Sequence, residues 1–178
     1  MSRRRSRRTL FIAVPLLLAG VALGTEAWWR CRPTTLVLVR HADRAADQDA
    51  LTPGGVRRAE ELVQAPEIGG VRSIFTSDTV RARETAAPVA RALGITPIER
   101  PAGAVGPLLE EVLQHHRGER VLVVGHGNTV PQLIRDAGGP TLPDIPHGEF
   151  DNIFVLTYCE CWRPKAELAR SKYGAPSL

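Results

Sequence analysis

Two arginines and two histidines stand just beyond apolar runs of the sequence. Arg40 and His41 follow Leu36-Val37-Leu38-Val39. Arg81 comes four residues after Ser77, and His126 follows Val121-Leu122-Val123-Val124-Gly125. Arginine presents a planar fork of donors that matches phosphate oxygens two at a time. A neutral imidazole has one basic nitrogen, able to attack phosphorus or to move a proton. Gathered in one place, these four side chains would hold an anion and could transfer its phosphoryl group. A lone histidine or arginine after a strand is more often structural, so the weight rests on whether the fold brings all four together.

The periodicity predicts that it does. Residues 34–39 form a β-branched, apolar run, read as a strand buried on both faces. A helix starts at Thr52, with Pro53 at its favoured first position and Leu62 and Val63 near its end. Residues 71–75 read as a second strand, 79–93 as a helix stopped by Gly94, and 95–98 as a weaker third strand. A helix over 107–117 is stopped by Gly118. A fourth strand covers 120–124, and a helix over 128–137 is stopped by Gly138-Gly139. Residues 151–158 form a fifth strand, and 166–171 a sixth that hairpins back through Arg163-Pro164. Strands alternating with helices imply an α/β fold, with a mainly parallel sheet, helices on both faces and an antiparallel hairpin at one edge. Ligands of such sheets bind beyond the carboxyl ends of the strands, which is where Arg40, His41, Ser77, Arg81 and His126 fall. The helices starting after these strands aim backbone N–H groups at the same edge.

The 178 residues fit one domain, and 43% hydrophobic with 24% charged residues excludes a disordered or multispanning chain. The formal charge of +4 comes from one end. The first 33 residues hold seven arginines and a single acid, Glu26. The other 145 carry 16 bases against 18 acids, a net charge of −2. Such a body has no general basic field, so no nucleic-acid partner is expected.

Residues 1–33 read as an address. Five arginines between Arg3 and Arg8 precede an uncharged apolar run over 10–24. Fifteen helical residues reach about 22 Å, short of a hydrocarbon core of about 30 Å, which favours a cleaved export signal. Small residues at Ala22, Gly24 and Ala27 suit cleavage, and Ser6-Arg7-Arg8-Thr9-Leu10-Phe11 loosely resembles a twin-arginine signal. In the rival reading the segment is an uncleaved anchor, with Trp28 and Trp29 at the far interface. Both readings export the body, residues 34–178, and leave the membrane touched only by the N-terminal segment. Export permits disulfides. Cys159 and Cys161 are too closely spaced for a relaxed bridge within one strand, so a bridge from Cys31 to one of them and three thiols both stay open.

Four short motifs resemble the histidine phosphatase superfamily, in its phosphoglycerate-mutase-like branch. Leu38-Val39-Arg40-His41-Ala42 is similar to the family's Arg-His-Gly signature, with Ala42 where many members have glycine. Leu51-Thr52-Pro53-Gly54-Gly55 is similar to its Leu-Thr-x-x-Gly segment, with Arg58 where glutamine is common. Ser77 to Ala86 resembles its Ser-x-x-x-Arg-Ala-x-x-Thr-Ala segment, and Val124-Gly125-His126-Gly127-Asn128-Thr129 its second-histidine motif. The four lie in family order within residues 36–130. Segments 148–152 and 173–176 resemble a small exported bacterial subgroup. The resemblance implies a three-layer α-β-α sandwich and a phosphatase. The body of about 145 residues lacks the long insertions of true mutases, which favours hydrolysis.

On this reading His41 is the nucleophile and becomes a phosphohistidine. Its other ring nitrogen donates to a backbone carbonyl. Arg40 and Arg81 clamp the oxygens, His126 is a protonated further donor, and Asn128 and Thr129 line the phosphate pocket. Four cationic or polar side chains neutralise the phosphate, so neither a metal nor another cofactor is expected. No helix carries a His pair four residues apart to suggest one. The partner is a small phosphate ester. A carboxylic acid should protonate the leaving oxygen. Asp43 and Glu110 are the leading candidates, with Asp47, Asp49, Glu111 and Glu149 behind them. The alternative is a module that binds phosphate in the same fold without turnover.

Overall fold

The computed structural model describes residues 32–159 and 165–177. The N-terminal address, Cys31, Cys161 and the Arg163-Pro164 turn lie outside the described residues. Among the described residues no helix is long and apolar enough to cross a membrane.

The strands are β1 (Thr34–Arg40), β2 (Val71–Ser77), β3 (Ile98–Arg100), β4 (Arg120–Gly125), β5 (Asn152–Cys159) and β6 (Lys165–Lys172). The helices are α1 (Pro53–Leu62), α2 (Val80–Leu93), α3 (Val105–His115) and α4 (Thr129–Asp136), with one 3-10 turn at Pro66–Ile68. The strands form one sheet in the order β3-β2-β4-β1-β5-β6. β3, β2, β4 and β1 pair in parallel, while β5 runs antiparallel to β1 and forms a hairpin with β6. This is the expected α/β sandwich, and β1 and β4 at its centre show why it forms. Leu36 and Leu38, with Val121 and Val123, face α3 and α4. Val37 and Val39, with Leu122 and Val124, face α1 and α2. Each fully buried side chain of this kind contributes about 1.5–3 kcal/mol.

The helix starts and stops follow the residues that cap them. Thr52 accepts a hydrogen bond from Gly55 N at 3.1 Å and Pro53 opens α1. Gly55 packs directly on the loop after β1. A Cβ there would fall 2.1 Å from the Asp43 carbonyl oxygen, so only glycine allows the approach. Gly94 ends α2 in the left-handed region, at φ 66°.

Two elements depart from the expected bounds. The third strand is Ile98–Arg100, not 95–98. Ile95 N donates back to Ala90 O at 3.0 Å, closing α2, and Pro97 has no N–H to give a ladder. Pairing with Phe75–Ser77 therefore begins at Ile98. Helix α3 starts two residues before Pro107, which lies in its first turn where N–H groups have no helical partner. It ends at His115, ahead of Gly118 at φ 76°.

Candidate active site

The central strands deliver the site. Arg40 pairs with Gly125 at the ends of β1 and β4, and His41 N donates to Gly125 O at 2.9 Å. His41 and His126 thus leave neighbouring strands together, with ring centroids 5.4 Å apart and planes at 60°. His41 Nδ1 lies 2.9 Å from Ala42 O. A carbonyl only accepts, so Nδ1 carries the hydrogen and Nε2 keeps the basic lone pair. Ala42 N donates to Thr85 Oγ1 at 2.9 Å, and Thr85 Oγ1 donates to Arg81 O at 2.7 Å, which ties the turn after His41 to the first turns of α2. Burial pushes the His41 imidazole down to about 3, helped by the charges of Arg40 and Arg81 and opposed by the bond to Ala42, so the ring is neutral near pH 7.

Both arginines are held by oxygen acceptors. Arg40 Nη1 donates to the carbonyls of Pro146, His147 and Glu149 at 2.6, 3.1 and 3.0 Å. Its guanidinium carbon sits 4.2 Å above the Phe150 ring. Arg81 Nη1 donates to Asp49, and Arg81 Nη2 lies 3.3 Å from His126 Nδ1. In each arginine Nε is buried without a partner. A buried unpaired donor costs about 1–3 kcal/mol, and two of them in one place mark a prepared anion site.

His126 Nε2 lies 2.9 Å from Ser77 Oγ, which in turn meets Thr79 Oγ1 at 2.9 Å. Burial first, then Arg81 and Arg40, push this imidazole down to about 4, against the opposing pull of Asp78 and Asp49. His126 is therefore neutral in this structure, and only an arriving anion would favour the protonated form expected from the sequence. His126 N donates to Thr129 Oγ1 at 2.9 Å, so the threonine hydroxyl braces the turn. Asn128 is exposed at the N-cap of α4 and makes no side-chain cap bond.

Arg40, His41, Arg81 and His126 are thus brought together. The two leading acids are engaged elsewhere. Asp43 gives Oδ2 and Oδ1 to Arg58 at 2.6 and 3.3 Å. Arg58 is itself buried and also donates to Ala175 O at 2.6 Å. Glu110 is exposed on α3 and accepts from Gln114 at 2.8 Å. The acid at the clamp is Asp49, whose Oδ2 accepts from Val80 N at 2.9 Å while Oδ1 holds Arg81. Phe150, Thr85 and the working role of Asp49 were not picked out from the sequence. Thr85 had a signal there, lying one helical turn beyond Arg81. Beside His126 and Ser77 runs a cleft walled by Pro101, Ala102, Val105 and Leu108. Among the described residues no three His, Cys, Asp or Glu side chains are grouped to hold a metal ion.

Residues 36–103 match the model of the histidine phosphatase superfamily (branch 1), the superfamily which the motifs resemble. Solved structures share the fold. A Nakamurella multipartitia structure, provisionally assigned as the phosphohistidine phosphatase SixA, is 26% identical over 81% of this chain and 96% of its own, with a TM-score of 0.58. The protein histidine phosphatase SixA complexed with tungstate is 20% identical over 78% of this chain and 96% of its own (TM-score 0.62). A mycobacterial glucosyl-3-phosphoglycerate phosphatase with inorganic phosphate is 16% identical over 76% and 95% (TM-score 0.59). The last two attest the fold alone. No curated protein matches the chain. The family match and the Nakamurella structure support phosphatase chemistry here.

Proposed function

We propose that the protein hydrolyses small phosphate monoesters through a phosphohistidine on His41, without a metal. One observation carries this reading: the two buried guanidinium Nε atoms without a partner belong to Arg40 and Arg81, whose charges both act on the neutral imidazole of His41. A phosphoryl group supplies the missing acceptors. The His41 Nε2 lone pair forms the N–P bond as the P–O bond to the leaving group breaks, and the leaving oxygen takes a proton from solvent water. Water then forms a new P–O bond and gives up a proton to solvent as the N–P bond breaks, and inorganic phosphate departs. Arg40 and Arg81 neutralise the equatorial oxygens throughout, and one such preorganised donor is worth roughly 3–4 kcal/mol in the transition state. His126 adds a donor once the anion's charge favours its protonation. Turnover of an aryl phosphate that survives chelator and vanishes in His41→Ala is expected. Folded wild type without turnover would overturn hydrolysis.

A second reading, phosphate binding without turnover, draws on a specific observation. Asp43 is taken up by Arg58 and Glu110 by Gln114, so neither leading acid faces the site with a free carboxyl. A leaving group acidic enough to depart without help, such as a nitrophenolate, separates the two readings. The body is also proposed to act outside the cytoplasmic membrane, on the strength of the arginine cluster and apolar run in residues 1–33.

A further inference from the structure

The two clamping arginines are anchored by oxygens of different charge. Arg40 Nη1 rests on three neutral carbonyls, whereas Arg81 Nη1 rests on the carboxylate of Asp49. The loop carrying Asp49 is built to keep it there. Arg44 Nη1 donates to the carbonyls of Ala45, Ala46 and Gln48, and Leu51 N donates to Glu84 at 2.7 Å. Asp49 itself bonds the first N–H of α2, and its side chain is 46% exposed, at the mouth of the site.

We propose that Asp49 makes the pocket select a phosphoryl group carrying a single negative charge, by accepting a hydrogen bond from the proton which such a group retains. The inference rests on the phosphate-pocket reading above. The groups that face Asp49 are Arg81 and Val80 N from α2, with His126 after β4 further off. Both imidazoles are neutral, so Arg40 and Arg81 less Asp49 leave a net charge of +1. A dianion on Arg81 would lie beside a carboxylate bonded to the same guanidinium, where like charges repel, by an amount that the exposure of Asp49 moderates. A monoanion brings a P–OH group, and the carboxylate is its natural acceptor.

The test is titration calorimetry on the full chain with phenylphosphonate and with sulfate, at pH 5.5 and 8.5, for wild type, Asp49→Asn and Asp49→Ala. Phenylphosphonate carries one P–OH at the lower pH and none at the higher, and sulfate stays a dianion. Protonation of His126 at low pH would strengthen both anions, whereas Asp49 would strengthen phenylphosphonate alone. Wild type is expected to lose about tenfold in phenylphosphonate affinity on going to pH 8.5, with a much smaller change for sulfate. Asp49→Asn is expected to bind both anions about tenfold more tightly than wild type at pH 8.5. Equal weakening of both anions in both variants would overturn the proposal and leave Asp49 as a mere anchor for Arg81. Equal or tighter phenylphosphonate binding by wild type at pH 8.5 would overturn it too. Failure of either anion to bind any of the three proteins would overturn the pocket reading itself, and the inference with it.

Discussion

The guanidinium of Arg81 sets the tautomer of His126. Nη2 of Arg81 lies 3.3 Å from Nδ1 of His126, and a guanidinium has only hydrogens to offer. Nδ1 therefore accepts, Nε2 carries the hydrogen, and Ser77 Oγ receives it at 2.9 Å. Ser77→Ala removes that acceptor and leaves a buried N–H unpaired. Its kcat/KM for an aryl phosphate should fall about tenfold, and its Tm should drop by a few degrees. Unchanged kinetics would show that His126 needs no such orientation.

The depressed imidazoles make stability depend on pH in a definite direction. His41 and His126 are held down to about 3 and about 4, below the ordinary histidine value of 6.5. As pH falls below 6.5 the unfolded chain takes up protons which the folded chain refuses. The stability is complete above pH 6.5 and is lost progressively down to about pH 3. Calorimetric melting of wild type and His41→Asn between pH 7 and 4.5 should show the steeper fall in wild type, by several degrees. The same values predict no acid limb in kcat/KM from His41 protonation above about pH 4.5.

Thr85 braces the turn that follows His41. Its hydroxyl accepts from Ala42 N and donates to Arg81 O. Thr85→Val leaves a buried N–H unmet at a cost of about 1–3 kcal/mol, or several degrees in Tm for a chain of this size. Thr85→Ser should restore most of both stability and turnover.

Arg40→Lys keeps the charge and loses the fork. Lysine cannot rest on three carbonyls and still direct a second nitrogen at the pocket. Activity is expected to fall about a hundredfold or more, with phosphate affinity falling in parallel.

Much of this was legible because it is local. The continuous apolar runs of β1 and β4 can only be central strands, and residues just beyond the ends of such strands must lie at one sheet edge. Arg40, His41 and His126 were placed by that reasoning alone. What the sequence hid is long-range. Asp49 meets Arg81 across 32 residues, and Arg58 meets Ala175 across 117, through turns with no periodicity to read. Phe150 lies under Arg40 because β5 pairs antiparallel with β1, and propensity does not set strand order. The acid was obscured for a related reason. Asp43 is two residues from His41 in the chain, but Arg58, in the position where glutamine is common in the resembling family, claims its carboxylate. α3 begins two residues earlier than its proline suggests, because proline is tolerated throughout a helix's first turn.

Rapid acid-free quenching of the full chain during turnover of an aryl phosphate, followed by peptide mass spectrometry, addresses the central proposal most directly. A phosphoryl adduct on the peptide containing His41, labile to acid and absent in His41→Ala, is the expected result. Turnover that persists in His41→Ala, or an adduct on any other residue, would contradict it.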